Sequence, residues 1–300
     1  MNIKNKLAKK LLPITRAYIR YSPVKIGKSA LFKRFEWRDF TYTKRTKFGA
    51  LMSGRTADVV QGYIYYFGVW EPNLTAFISS RLKNNSARTF VDVGANVGYF
   101  SLLAASHLIR GHVVAIEAFP SIFQKLENNI KLNEHKNIRL LPYAVTDKRR
   151  DILMFHAGEG NEGATTSVAG KFESEPIRVP GNSLINLLTE DEIRNIKIIK
   201  IDVEGAEYSV VMGMAELIKS LPIDAEVVIE ITPSAYSKGQ LAEVFDIFKA
   251  AGFFPYCLEN PYDPGYYIEN SLPVRPTPLR ELPTTQTDVV FSRISAEVLA

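Results

Sequence analysis

From Arg88 onward the chain alternates between two apolar rhythms. Runs rich in Val, Ile and Leu at 88–93, 112–117, 138–145, 197–202, 225–231 and 253–258 read as strands. Between them, 97–109, 119–133, 205–220 and 236–251 repeat apolar positions every three or four residues, which predicts helices. Units of this size build a mostly parallel sheet with helices on both faces. Two stretches break the rhythm. Residues 151–181 read as short extended pieces (152–155 and 176–179) around the Gly-rich loop 158–163, and 261–283 carries six prolines and little periodicity. A loop of that length is more often functional or disordered than a plain connection. The aromatic cluster Tyr63, Tyr65, Tyr66, Phe67 and Trp70 suits core packing, with a lid as the alternative. The division this predicts is a basic extension over 1–60 and one α/β domain over 61–300.

Charge adds a location but no chemistry. Residues 1–48 hold 14 Lys or Arg against Glu36 and Asp39, a local +12 within a total of +5, so the other 252 residues carry −7. Leu7, Leu11, Ile14 and Tyr18 fall at helical spacing among Lys6, Lys9, Lys10, Arg16 and Arg20, with Pro13 interrupting. Such a segment suits a solvated extension, or a peripheral contact with an anionic membrane or other polyanion. Cys257 is the one cysteine, which excludes a disulfide within the chain and points to a reducing, cytoplasmic setting. No apolar run reaches the roughly 18 residues of a spanning helix, and no signal-peptide core follows the basic start.

The densest chemistry lies in Val91-Asp92-Val93-Gly94-Ala95-Asn96-Val97-Gly98-Tyr99-Phe100. A strand runs into two glycines and then into a helix, so bare backbone and unpaired N–H groups meet at one point. Asp92 puts a carboxylate where a diphosphate would be repelled and an ammonium group attracted, which favours S-adenosylmethionine (SAM) over a nicotinamide dinucleotide. Glu117 ends the next strand 23 residues after Gly94, the place of an acid that accepts bonds from ribose hydroxyls. It is expected at a solvent-facing strand tip. Ala144 leaves room for an adenine, and Asp147 offers an acceptor for its amino group.

The fourth strand ends in Ile199-Lys200-Ile201-Asp202-Val203-Glu204-Gly205-Ala206-Glu207. Alternation puts Lys200 and Asp202 on one face, and buried charges persist when paired or used. Glu204 and Glu207 also suit the start of a helix. Asp202 and then Glu230, at the tip of 225–231, are the candidate bases, with Lys200 tuning them. Asp202, Glu204 and Glu230 could gather around Mg²⁺, but no metal is expected, and the four histidines and Cys257 show no zinc spacing. His156 is a lesser candidate base. Glu259-Asn260-Pro261-Tyr262 reads as ordinary turn chemistry.

Residues 91–101 and 199–207 together resemble the FkbM family of SAM-dependent methyltransferases, as do Phe67-Gly68-Val69-Trp70-Glu71-Pro72, 128–133 and 143–147. The likeness runs from Gly62 to Pro233. It implies a Rossmann-like, seven-stranded sheet whose last strand, 288–292, inserts antiparallel. It also implies SAM held by Asp92, the turn Gly94-Ala95-Asn96, Gly98, Glu117 and the Asp202 region, with Glu71 reaching in. Glu117-Ala118-Phe119-Pro120 departs from the family pattern and sets Phe119 against the adenine. The function expected is O-methylation of a small-molecule or saccharide acceptor, with nucleic acid an unlikely partner. The alternatives are a nicotinamide oxidoreductase, disfavoured because Ala95 and Asn96 interrupt G-x-G-x-x-G, and a non-catalytic membrane- or polyanion-binding module.

Overall fold

A computed structural model describes residues 3–36, 38–158, 160–168, 174–269 and 273–294, with side chains placed from Leu11 on; Lys6, Leu7, Lys9 and Lys10 lie outside that description. The chain begins with helices α1 (Ile3–Tyr21) and α2 (Lys28–Phe35), a hairpin of β1 (Thr41–Arg45) and β2 (Leu51–Arg55), and helices α3 (Val59–Phe67) and α4 (Pro72–Leu82). Alternation then starts with β3 (Thr89–Val93), α5 (Tyr99–His107), β4 (His112–Ile116), α6 (Pro120–Lys131) and β5 (Ile138–Leu141). A side sheet follows, of β6 (Ala144–Val145), β7 (Arg150–Met154) and β8 (Ile177–Asn182). Short helices α7 (Leu184–Leu187) and α8 (Glu190–Arg194) lead to β9 (Ile196–Ile201), α9 (Glu207–Gly213), α10 (Ala215–Ser220) and β10 (Glu226–Ile231). The chain continues through α11 (Gln240–Ala250), β11 (Phe254–Leu258), α12 (Pro264–Glu269), β12 (Thr277–Pro278) and β13 (Thr287–Ser292).

The main sheet has the order β12-β11-β13-β10-β9-β3-β4-β5. Strand β13 lies antiparallel between β10 and β11, and β10, β9, β3, β4 and β5 are parallel. This is the Rossmann-like methyltransferase sheet of seven strands, with two-residue β12 added as an eighth at the edge. Three predicted elements divide. Pro142 and Tyr143 end β5, so the run 138–145 supplies two strands in different sheets. The helix expected over 205–220 starts at Glu207 and breaks at Met214. The loop expected over 261–283 contains α12 and β12.

Both sheet faces are apolar because both are covered. One face packs Phe90, Ile198, Val228 and Val290 against Tyr65, Tyr66, Ile78 and Leu102 from α3, α4 and α5. The other packs Val91, Ile199, Val227 and Phe291 against Val210, Leu217 and Phe248 from α9, α10 and α11. Leu12, Ile19, Phe32 and Met52 belong to the first cluster, so residues before 60 share the core of those after it. The α1 face that packs on the core is a different one from the stripe read in the sequence. Leu12, Thr15 and Ile19 are buried there, whereas Leu11 and Ile14 face solvent.

Candidate functional site

At the carboxyl ends of β3, β4 and β9 the backbone opens into a cavity of about 440 Å³. Gly94 makes it possible. Its φ is +78°, and a Cβ there would stand 1.8 Å from the carbonyl oxygen of Asp202, so two strand ends cross where only hydrogen fits. The Gly94 and Ala95 N–H groups both donate to the Ile116 carbonyl, which tightens the turn onto β4. Asn96 then takes φ +49°. Among the described non-glycine residues only Glu71, Asn96 and Glu204 have positive φ, and all three border this region. Non-glycine residues are held in that conformation where surrounding structure over-determines it.

Glu117 stands at the cavity wall, but it is 8% exposed rather than solvent-facing. One carboxylate oxygen accepts the Asn96 N–H at 2.9 Å and the other the Phe119 N–H at 2.9 Å. Burial pushes its pKa up to about 7 against the pull of these N–H groups and that of Ala118. Ala118, Ile122 and Ala144 form an apolar stretch of wall, and residues 151–155 of the side sheet form another.

Beyond Asp202 a second, polar groove opens, lined by Glu230, Asn260, Tyr262, Gln286 and Asp288. Four acids and one lysine meet between the two hollows. Lys200 is 4% exposed; its Nζ bonds Asp202 Oδ2 at 2.9 Å and sits 5.1 Å from the Phe100 ring centroid. Burial draws the lysine pKa down, but Asp202, Asp92 and Glu71 outweigh it and hold the ammonium charged. Glu71 is held well above the usual carboxylate range by burial and then by Asp288. Glu230, half-buried, is raised by burial and then by Asp202 and Asp288. Burial raises Asp288 to about 7, opposed by a hydrogen bond from the Asn260 amide. Carboxylate oxygens of Asp202, Glu204 and Glu230 lie within 4.8 Å of one another.

Tyr262 joins this cluster together. Its hydroxyl lies 2.9 Å from Glu71 Oε1 and 3.1 Å from Glu230 Oε1, and its ring stacks on Trp70 with centroids 5.5 Å apart. Gln286 Nε2 donates to the same Glu230 oxygen at 2.6 Å. A phenol has one hydrogen to donate, so it serves one of the two carboxyls as a donor, and a proton on the other would let that carboxyl return a hydrogen bond to the phenolic oxygen. The Glu259–Tyr262 stretch, read as turn chemistry in the sequence, therefore supplies two site residues.

Of the residues selected from sequence, Gly94, Asn96, Glu117, Ala144 and Asp202 line the cavity, and Glu230 lines the groove. The others lie elsewhere. Asp92 is 1% exposed; one oxygen accepts from Ser101 Oγ at 2.6 Å and the other has no partner, facing inward beside Lys200. Ala95 and Gly98 shape the turn. A Cβ on Gly98 would stand 2.6 Å from the Leu126 side chain, so this glycine lets α5 approach α6. Phe119 turns away from the wall and stacks on His156 at 5.0 Å, packed with Ile122 and Met154. Asp147 pairs with Arg150 at 2.8 Å, leaving Thr146 and Arg150 at the wall instead. Glu71 and Lys200 sit behind the groove, between the hollows.

A model of the methyltransferase FkbM domain matches residues 92–255. The chain is 24% identical to the AMB antimetabolite synthetase AmbE of Pseudomonas aeruginosa, a match over 54% of this chain and 9% of that protein. It is 25% identical to Methyltransferase 1 of Beauveria bassiana, over 54% of this chain and 71% of that one. Among solved structures, the methyltransferase FkbM from Methylobacillus flagellatus is similar at 14% identity with a TM-score of 0.44, covering 69% of this chain and 44% of that chain.

Proposed function

The chain belongs to the FkbM family of SAM-dependent methyltransferases, and on that premise we propose that it methylates a hydroxyl group of a small-molecule or saccharide acceptor. The residues present fit the cofactor. The cavity is within the size range of small-molecule sites. The Gly94–Asn96 turn brings bare backbone to its floor, Glu117 offers carboxylate oxygens to ribose hydroxyls, and Ala118, Ile122 and Ala144 offer an apolar wall to the adenine. When bound, the cofactor supplies a methyl group on positively charged sulfur.

The protein's own contribution is alignment and proton removal. The acceptor reading gives the groove lined by Glu230, Asn260 and Tyr262 to the second substrate, and holding two reactants in register is worth up to about 7–11 kcal/mol. A hydroxyl of high pKa needs a base. The observation that carries the O-methylation reading is the pair Asp202 and Glu230, at neighbouring strand ends where cavity and groove meet. Asp202 is oriented by Lys200, and the raised proton affinity of Glu230 suits a group that must take a proton.

Incubation of the protein with methyl-deuterated SAM and small-molecule extracts, followed by fragmentation of labelled products, tests this. The label is expected on an ether oxygen; a label on nitrogen, sulfur or carbon overturns the reading. Asp202→Asn is expected to keep most SAM affinity by calorimetry while turnover falls by roughly 10²–10⁴-fold, the range for a lost general base. Wild-type turnover in Asp202→Asn transfers the role to Glu230.

A further inference from the structure

Helix α1 has two apolar faces, and only one is used by the core. Leu12, Thr15 and Ile19 are buried, while about 100° around the helix axis, Leu11 is 40% and Ile14 66% exposed. The chain after the helix adds Tyr21 at 65%, Val24 at 50% and Ile26 at 84% exposure. The Tyr18 hydroxyl donates to the Ile26 carbonyl at 2.7 Å, which folds this turn back onto the helix and joins the exposed side chains into one surface. Isolated exposed apolar residues are ordinary, but a contiguous set marks a binding face.

The cations divide in the same way. Arg16, Arg20 and Lys28 are spent on backbone carbonyls of Tyr65, Arg45, Ile19 and Ser22. Lys25, Lys33 and Arg34 remain exposed around the apolar patch, in a segment with 14 basic and two acidic residues. Asp39, one of those two, is paired with Arg55. A surface that joins protruding Ile and Val to an excess of positive charge matches the boundary between lipid headgroups and acyl chains. Nucleic acid would satisfy the charge alone, since Ile and Val neither stack on bases nor read their edges. The face also touches α12. Lys25 Nζ donates to the Glu269 carbonyl at 3.3 Å, at the end of α12, the helix that follows Tyr262.

We propose that the face formed by α1, the 22–27 turn and α2 docks on a membrane surface bearing anionic lipid. Ile14, Val24 and Ile26 enter the acyl boundary, and Lys25, Lys33 and Arg34 lie among the headgroups. The test is co-sedimentation of the whole chain with vesicles of phosphatidylcholine, with and without phosphatidylglycerol, across a salt series. Binding is expected only with phosphatidylglycerol and is weakened by salt. Ile14→Asp with Ile26→Asp is expected to lower the partition coefficient by about tenfold or more. Lys33→Glu with Arg34→Glu is expected to lower it by about thirtyfold. All four positions are exposed, and unchanged circular dichroism and SAM affinity confirm an intact fold. Equal binding to neutral vesicles, or no binding to anionic ones, overturns the proposal. Full retention of binding in the Ile double variant, with RNA held as well as vesicles, reassigns the face to polyanions. Self-association that the Ile variant abolishes, without vesicle binding, reassigns it to a protein interface.

Discussion

Tyr262→Phe removes one oxygen and leaves the ring that stacks on Trp70 in place. In the native protein that oxygen contacts Glu71 Oε1 at 2.9 Å and Glu230 Oε1 at 3.1 Å. Glu230 keeps the Gln286 amide, but Glu71, 4% exposed, loses a partner it has no water to replace. A hydrogen bond contributes about 0.5–1.5 kcal/mol, and about 1.5–3 where a partner is charged, so unfolding in urea is expected to show a loss of about 1–3 kcal/mol with an unchanged m-value. The cycle with Glu71→Ala isolates the contact, because alanine keeps no group that can bond the phenol. If Tyr262 and Glu71 are coupled as described, the double variant loses less than the sum of the singles, by about 1–2 kcal/mol. Additivity within about 0.5 kcal/mol, in variants that fold, refutes the bond.

Three further outcomes follow from the same geometry. Glu117→Gln places an amide N–H₂ against either the Asn96 or the Phe119 N–H; SAM affinity by calorimetry is expected to fall about tenfold to a hundredfold, with a melting temperature several degrees lower. Gly94→Ala forces a methyl group onto the Asp202 carbonyl at a positive φ; SAM binding is expected to vanish, and tight binding by a folded variant would mean the two strand ends are free to separate. Carboxyls with folded pKa values above their unfolded ones bind protons on folding. Glu117 and Asp288, both at about 7, should therefore make the protein less stable as pH rises from about 4.5 to 7, by about 1.4 kcal/mol per unit and group. Asp288→Asn should remove its share of that slope in urea titrations at several pH values.

The parallel sheet was legible because its central strands, buried on both faces, leave apolar runs, and the glycine turn was legible because only glycine tolerates the crossing at Gly94. Asp92 and Lys200 announced themselves as charges inside apolar strands, yet alternation gives a face and not a partner. Nothing in the spacing says that Asp92 turns to Ser101 or that Phe119 turns to His156. Tyr262 escaped for a different reason. It lies 191 residues from Glu71, and its role comes from a loop closing over the sheet end, which a local reading of Asn-Pro as a turn cannot see. The α1 stripe read from sequence said nothing of the core, because the helix is apolar on two sides and the core uses the side holding Leu12 and Ile19.

Strand β13 follows in the chain both strands it separates. During synthesis β10 and β11 are made first, and they must wait with their facing edges unpaired, although exposed edges invite any strand at hand. Asp288 arrives on that same late strand, opposite Glu230. A partly translated chain therefore has an unfinished groove, however complete its glycine turn. The order of translation itself thus delays assembly of the groove until the sheet is closed, and makes β13 the element on which chaperone dependence and sensitivity to premature termination should concentrate.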